Sequence, residues 1–305
     1  MGLHRLTSIT LGVPDVAASR SFFTDFGLLP GDDGWLATRD GGDQLELVES
    51  GHRRLARLGL GAEEPDDLAL IAERVESVGL GSILRVDTER LILAEPVTGL
   101  PVEVTVAPAY EADVEAVAVN RPIGSQRFDR PADAVLVDDA VRPSNLTHVV
   151  YATPDQPTTL RFFTDVLGFE ISDEVPGIIA FTRCSEVHHN LAIQAGPVAY
   201  PHHIAFEMDE IDDVVRGGLA MVDADPDRHT WGLGRHAIGS NWFWYLREPN
   251  GTFVEYTADI DRISAQDLYR PKDWQGQEFL YSFGPPTPQA FMEPVDLPEI
   301  IAAST

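Results

Sequence analysis

Residues 8–25 read SITLGVPDVAASRSFFTD, and residues 148–165 read HVVYATPDQPTTLRFFTD. The two stretches match at a constant offset of 140. Pro14 and Asp15 fall on Pro154 and Asp155, and Phe22-Phe23-Thr24-Asp25 fall on Phe162-Phe163-Thr164-Asp165. Farther on, Gly99 to Thr105 matches Gly251 to Thr257 at an offset of 152, placing Glu103 on Glu255. Two matches in the same order, slipped by only 152 − 140 = 12 residues, indicate a duplicated domain. A chain of 305 residues agrees with that, since its length alone predicts about two domains. The linker belongs within residues 106–145, where VAPAYEADVEAV and FDRPADAVLVDDAVRPS break the pattern. This predicts a first domain over 1–135 and a second over 136–275. The proline-rich 276–305 is expected to form a tail laid over the body.

Within each copy the pattern is a strand, a helix, then several strands, which makes the fold class α+β. Leu146–Ala152 is apolar and β-branched and reads as a strand ending at Thr153-Pro154. Asp155 then caps a helix through Leu160, Phe162, Phe163, Val166 and Leu167, which Gly168 stops. Ile178–Thr182 and Asn190–Gln194 read as strands. A second cycle starts at His202 and continues into a helix with Ile211, Val214, Val215 and Leu219 at helical spacing. Trp242–Leu246 and Thr252–Tyr256 close it, joined by the turn at Glu248-Pro249-Asn250-Gly251. Each half therefore holds two such modules.

Composition narrows the partners. Against 22 Lys+Arg stand 49 Asp+Glu, a net charge of −27, which repels nucleic acid and anionic membrane surfaces. One cysteine, Cys184, excludes an internal disulfide or a Cys-rich zinc site. No apolar run approaches the roughly 18 residues of a membrane span. The expectation is a cytoplasmic protein.

Of nine histidines, only His4 and His52 lie in the first half. Halves that repeat otherwise but differ in histidine place the chemistry in the second. His148 stands near the start of one module's first strand, His203 at the matching point of the next, and Glu255 on the last strand. The spacings are 203 − 148 = 55 and 255 − 203 = 52, about one module each. If the modules pack pseudo-symmetrically, two imidazoles and a carboxylate converge on one face of a metal and leave the opposite positions open. That arrangement suits non-heme Fe(II), which must take both substrate and O2, and Mn(II) accepts the same set. In the first half these positions align with Ser8, Arg54 and Glu103, so no such metal is expected there.

LTHVVYATPD, VHHNLAI, HHIAFEM and GRHAIGSNWFWYLREPNGTFVEY together resemble the two-domain type I extradiol ring-cleavage dioxygenases of the vicinal-oxygen-chelate superfamily. The resemblance extends to about residue 275. It implies two tandem domains, each of two βαβββ modules forming a curved mixed sheet. It also implies Fe(II) on His148, His203 and Glu255, with O2 as co-substrate and a catechol opened beside one hydroxyl in aromatic hydrocarbon catabolism. His189 matches the family's acid/base histidine, and His236 and Tyr245 its hydrogen-bonding pair. His188 and His202, each a strand neighbour of a functional histidine, should point away. Val150, Phe181, Ile238, His236 and Tyr245 are expected to contact substrate. Trp242 and Trp244 either add apolar walls or, if Tyr245 points inward, face a domain or subunit contact. An aromatic stretch around Leu268–Phe283 is placed over one side. The protein is expected to be a homo-oligomer. The rival readings are a glyoxalase-type isomerase or lyase, and a metal-free ligand-binding protein of the same fold.

Overall fold

The computed structural model describes residues 2–110, 118–136, 139–265, 268–275 and 279–304. Of the expected linker, 111–117 and 137–138 lie outside the described residues. Among the described residues sixteen strands form two eight-stranded mixed sheets. The first contains β1 (Leu3–Val13), β2 (Leu29–Pro30), β3 (Trp35–Thr38), β4 (Gly42–Glu49), β5 (Arg54–Ala62), β6 (Ser82–Val86), β7 (Arg90–Ala94) and β8 (Pro101–Val106). Its order is β2-β3-β4-β1-β5-β8-β7-β6. The second contains β9 (Asn145–Thr153), β10 (Glu170–Val175), β11 (Ile179–Arg183), β12 (Leu191–Ala195), β13 (Tyr200–Glu207), β14 (His229–Arg235), β15 (Trp242–Arg247) and β16 (Phe253–Ala258). Its order, β10-β11-β12-β9-β13-β16-β15-β14, repeats the first strand for strand. The fold is the α+β tandem arrangement that the repeat predicts.

Each repeat opens on the same local device. Asp15 accepts a hydrogen bond from Ala18 N at 2.9 Å and Asp155 from Thr158 N at 3.2 Å, so each caps the helix that follows its strand. The first helix, Val16–Asp25, is regular. Its counterpart is α-helical only over Gln156–Arg161, then widens into a π-helical turn over Phe162–Val166 before Gly168 ends it at φ 73°. Phe23 of the duplicated pair lies 6.4 Å from Phe206 across the joint between the halves, and Phe26, whose counterpart is Val166, completes it. Phe26 stacks on Tyr256 with ring centroids 3.8 Å apart and lies 5.5 Å from Phe206, both on the second sheet. Tyr256 donates its hydroxyl to Phe26 O at 2.7 Å. One apolar core therefore runs through both copies.

The later helix, Ile211–Ala224, buries Val214, Gly217, Gly218 and Met221. Leu219, expected on that face, is exposed, because the contact runs through the small residues instead. A Cβ at Gly218 would lie 2.3 Å from the Trp244 ring, so glycine is what lets this helix approach β15. Trp244 thus packs under a helix of its own domain, on the face opposite Tyr245. Two short helices, Gln289–Met292 and Leu297–Ser304, fold within the tail, where the sequence shows no periodicity.

Candidate metal centre and cavity

Strand register assembles the candidate ligands. Ala205 on β13 pairs with His148 on β9 and with Glu255 on β16, and Glu255 pairs with Tyr245 on β15. Register partners share a sheet face, so His148, Ala205, Glu255 and Tyr245 form one row across four strands. The small Ala205 leaves room at its centre. His203 lies two residues before Ala205 and faces the same way. His148 Nε2 is 3.2 Å and His203 Nε2 3.6 Å from Glu255 Oε2. Among the described residues these three are the group whose donor atoms all lie within 4.8 Å of one another.

Hydrogen bonding prepares two of the three. His202 Nε2–H donates to the Phe291 carbonyl at 2.7 Å. Burial pushes the His202 ring down to about 4, so it is neutral and its Nδ1 is an acceptor. The 2.9 Å contact between the two Nδ1 atoms is therefore a bond from His203 Nδ1–H, which leaves the lone pair of His203 Nε2 facing Glu255. Burial, reinforced by His202, His148 and His236, holds His203 well below the usual histidine range. Glu255 is fully buried, and its Oε1 accepts from Asn241 Nδ2 at 3.0 Å. A buried carboxylate facing a neutral imidazole, with no proton between them, fits a divalent cation bound by oxygen and imidazole nitrogen.

The remaining predicted residues gather around these. The His189 ring centroid is 4.2 Å from that of His148 and 5.1 Å from that of Phe181. Burial and four neighbouring imidazoles keep His189 far below its ordinary value, hence neutral. His236 Nδ1–H donates to Leu280 O at 2.5 Å, so Nε2 accepts the Tyr245 hydroxyl at 2.9 Å. Burial, then Glu255, drives the Tyr245 phenol well above its usual value, so it stays a donor. A cavity of about 100 Å³, the scale of one aromatic ring, adjoins the triad. Val150, Phe181 and Ile238 line it, and the tail adds Phe279, Leu280, Phe291 and Met292.

Four readings need correction. Trp242 and Trp244 are not at the cavity: Trp242 faces Phe283 (5.3 Å) and Trp244 faces the helix. His188 and His189 are not on a strand but in the loop before β12, so alternation does not separate them. His188 is fully buried, with Nδ1 3.0 Å from Nδ1 of His189. Leu268, at the start of the covering stretch, is 84% exposed and covers nothing. Finally, Arg57 rather than Arg54 is the counterpart of His203. Register pairs Ser8 with Gly59 and Gly59 with Glu103, as it pairs His148 with Ala205 and Ala205 with Glu255. Two residues before Gly59 is Arg57, whose guanidinium contacts Glu103 at 3.0 Å, Glu46 at 2.6 Å and Thr10 at 3.2 Å. In the first half a fixed organic cation sits on the carboxylate that corresponds to Glu255.

Residues 145–256 match the family model described as the Glyoxalase/Bleomycin resistance protein/Dioxygenase superfamily. The chain is 30% identical over 297 residues to metapyrocatechase 2 of Cupriavidus necator, covering 95% of this chain and 92% of that one. It is 32% identical over 280 residues to biphenyl-2,3-diol 1,2-dioxygenase of Metapseudomonas furukawaii, covering 84% and 86%. Among solved structures, the Mn(II)-bound glyoxalase from Novosphingobium aromaticivorans superposes with a TM-score of 0.76 at 25% identity, covering 94% and 93%.

Proposed function

This chain belongs to the extradiol ring-cleavage dioxygenases, and on that premise we propose that it opens an uncharged, apolar catechol with O2 at a non-heme Fe(II) held by His148, His203 and Glu255. The observation that carries the reading is the convergence of those three donors beside an apolar cavity that His189, His236 and Tyr245 also line. A bound Fe(II) supplies Lewis acidity toward the two hydroxyl oxygens and a redox partner for O2. On this reading the neutral His189 takes a proton from a substrate hydroxyl and later returns it. The Tyr245 hydroxyl, which donates to His236 Nε2 in the absence of substrate, turns to donate to a substrate oxygen. Val150, Phe181, Ile238 and Phe279 grip the ring and exclude water from it.

Substrate charge follows from the lining. Among the described residues no lysine or arginine lines the cavity, so a ring substituent bearing a carboxylate would be desolvated without a partner. Residues 1–135 are then the metal-free copy, 136–275 the catalytic one and 276–305 its cover. A homo-oligomer in the cytoplasm belongs to the same proposal, and its support is the edge strand β6, which exposes Leu84 and Val86.

The test is anaerobic reconstitution with ferrous iron, then addition of catechol and O2. Stoichiometric O2 uptake with a yellow ring-opened product is expected. Absence of O2 uptake across several catechols would reject the proposal in favour of the glyoxalase-type reading that the Novosphingobium structure invites.

A further inference from the structure

Next to His189 are three side chains to which that chemistry gives no task. His188 Nε2 lies 3.0 Å from Asp173 Oδ2 and 3.1 Å from the Tyr269 hydroxyl. Tyr269 O–H donates to the same carboxylate oxygen at 2.8 Å, and Lys272 N–H donates to Oδ1 at 2.7 Å. Asp173 is on β10, His188 in the loop before β12, and Tyr269 beyond the last strand, so three distant parts of the chain meet here.

Proton bookkeeping then has one neutral solution. Burial alone would raise the Asp173 carboxyl, but hydrogen bonds from His188, Tyr269 and Lys272 N–H outweigh it and keep the group ionised. An ionised carboxylate only accepts, so the hydrogen between it and His188 sits on Nε2. With that one hydrogen on the His188 ring its Nδ1 is bare, and the hydrogen in the 3.0 Å contact between the rings belongs to His189 Nδ1. Nε2 is the nitrogen of His189 left for the cavity that this residue lines. The same arrangement recurs in His202 and His203, where the Phe291 carbonyl takes the place of Asp173.

We propose that Asp173 and His188 are positioning residues that hold His189 as its Nδ1–H tautomer, so that Nε2 meets the substrate as a base. The assignment of the tautomer is independent of the reaction; the role as a base rests on the proposed function. A carboxylate that fixes the tautomer of a reacting histidine is worth up to about 10⁴ in kcat.

The experiment is ¹⁵N imidazole NMR on the metal-free protein at about pH 7.5, with the rings assigned through His188→Asn and His189→Asn. In the unmodified chain, His189 should show a protonated Nδ1 and an unprotonated Nε2. Asp173→Asn keeps an acceptor for Lys272 N–H and turns an N–H toward His188, which should reverse both rings. Its loaded form should lose kcat about 100-fold or more with KM and metal content unchanged. Tyr269→Phe retains the Asp173–His188 contact and should retain the tautomer. A proton on Nε2 of His189 in the unmodified chain overturns the inference whether or not the variants fold, as does an Asp173→Asn spectrum without reversal. The stated tautomer in a protein that opens no catechol supports it and overturns the functional proposal alone.

Discussion

The backbone carbonyl of Phe291 accepts the Nε2–H of His202 at 2.7 Å, and through that ring the tail reaches His203. A segment without apparent periodicity thus sets the direction of a candidate metal ligand. His202→Ala removes the acceptor for His203 Nδ1–H and should weaken metal binding about 10- to 100-fold while leaving one site per chain. Competition against a chromophoric chelator measures this, and unchanged affinity would remove His202 from the centre.

The proposed ligands and the proposed base should separate cleanly. His203→Ala and Glu255→Ala should lose metal and turnover together, read by metal analysis after anaerobic reconstitution. His189→Ala should keep its metal and lose about 10²- to 10⁴-fold in kcat. A metal-free His189→Ala protein would contradict the division of roles.

The cavity lining predicts a charge preference. Catechols with methyl or phenyl substituents should exceed carboxylate-bearing ones in kcat/KM by at least about 100-fold, the cost of about 3 kcal/mol for desolvating an unpaired charge. A panel of substituted catechols followed by product absorbance decides it.

In the first half, Arg57→Leu leaves Glu103 and Glu46 facing each other, with Arg90 3.1 Å from Glu103 as the remaining cation. The Arg57 side chain is 34% exposed, which places the cost between that of surface and buried pairs, about 1–3 kcal/mol by urea unfolding. Metal content should not change.

Burial pushes the Cys184 thiol up to about 12. Alkylation depends on the thiolate, so the native protein at pH 8 should react about 100-fold or more slowly than a free cysteine. The rate should climb roughly tenfold per pH unit without levelling off below about pH 11, and urea should restore ordinary reactivity. Rapid labelling at pH 8 in the native state would show the thiol to be exposed.

The sequence was most legible where chemistry and repetition coincide. His148, His203 and Glu255 stand one module apart on strands that the duplication places side by side, so spacing alone could bring them together. Arg54 was the wrong counterpart because the offset between copies steps from 140 at Ser8/His148 to 146 at Gly59/Ala205 and 152 at Glu103/Glu255, as the connections between strands lengthen, and a match of Arg54 to His203 needs 149, which the strand register does not allow. Alternation failed at His188 for a different reason: it is a rule for extended backbone, and that residue is in a loop. Asp173 and Tyr269 carried no signal at all. They lie 15 and 81 residues from His188, and only the folded chain makes them neighbours.

Arg57 makes the two halves differ in how they are completed after synthesis. The first sheet receives the positive charge for its central carboxylate from its own polypeptide, so that half is electrostatically finished once it folds. On the proposed function, the second depends on a delivered ion. Metal scarcity should therefore yield well-folded but immature molecules rather than unfolded ones, available for activation when supply returns.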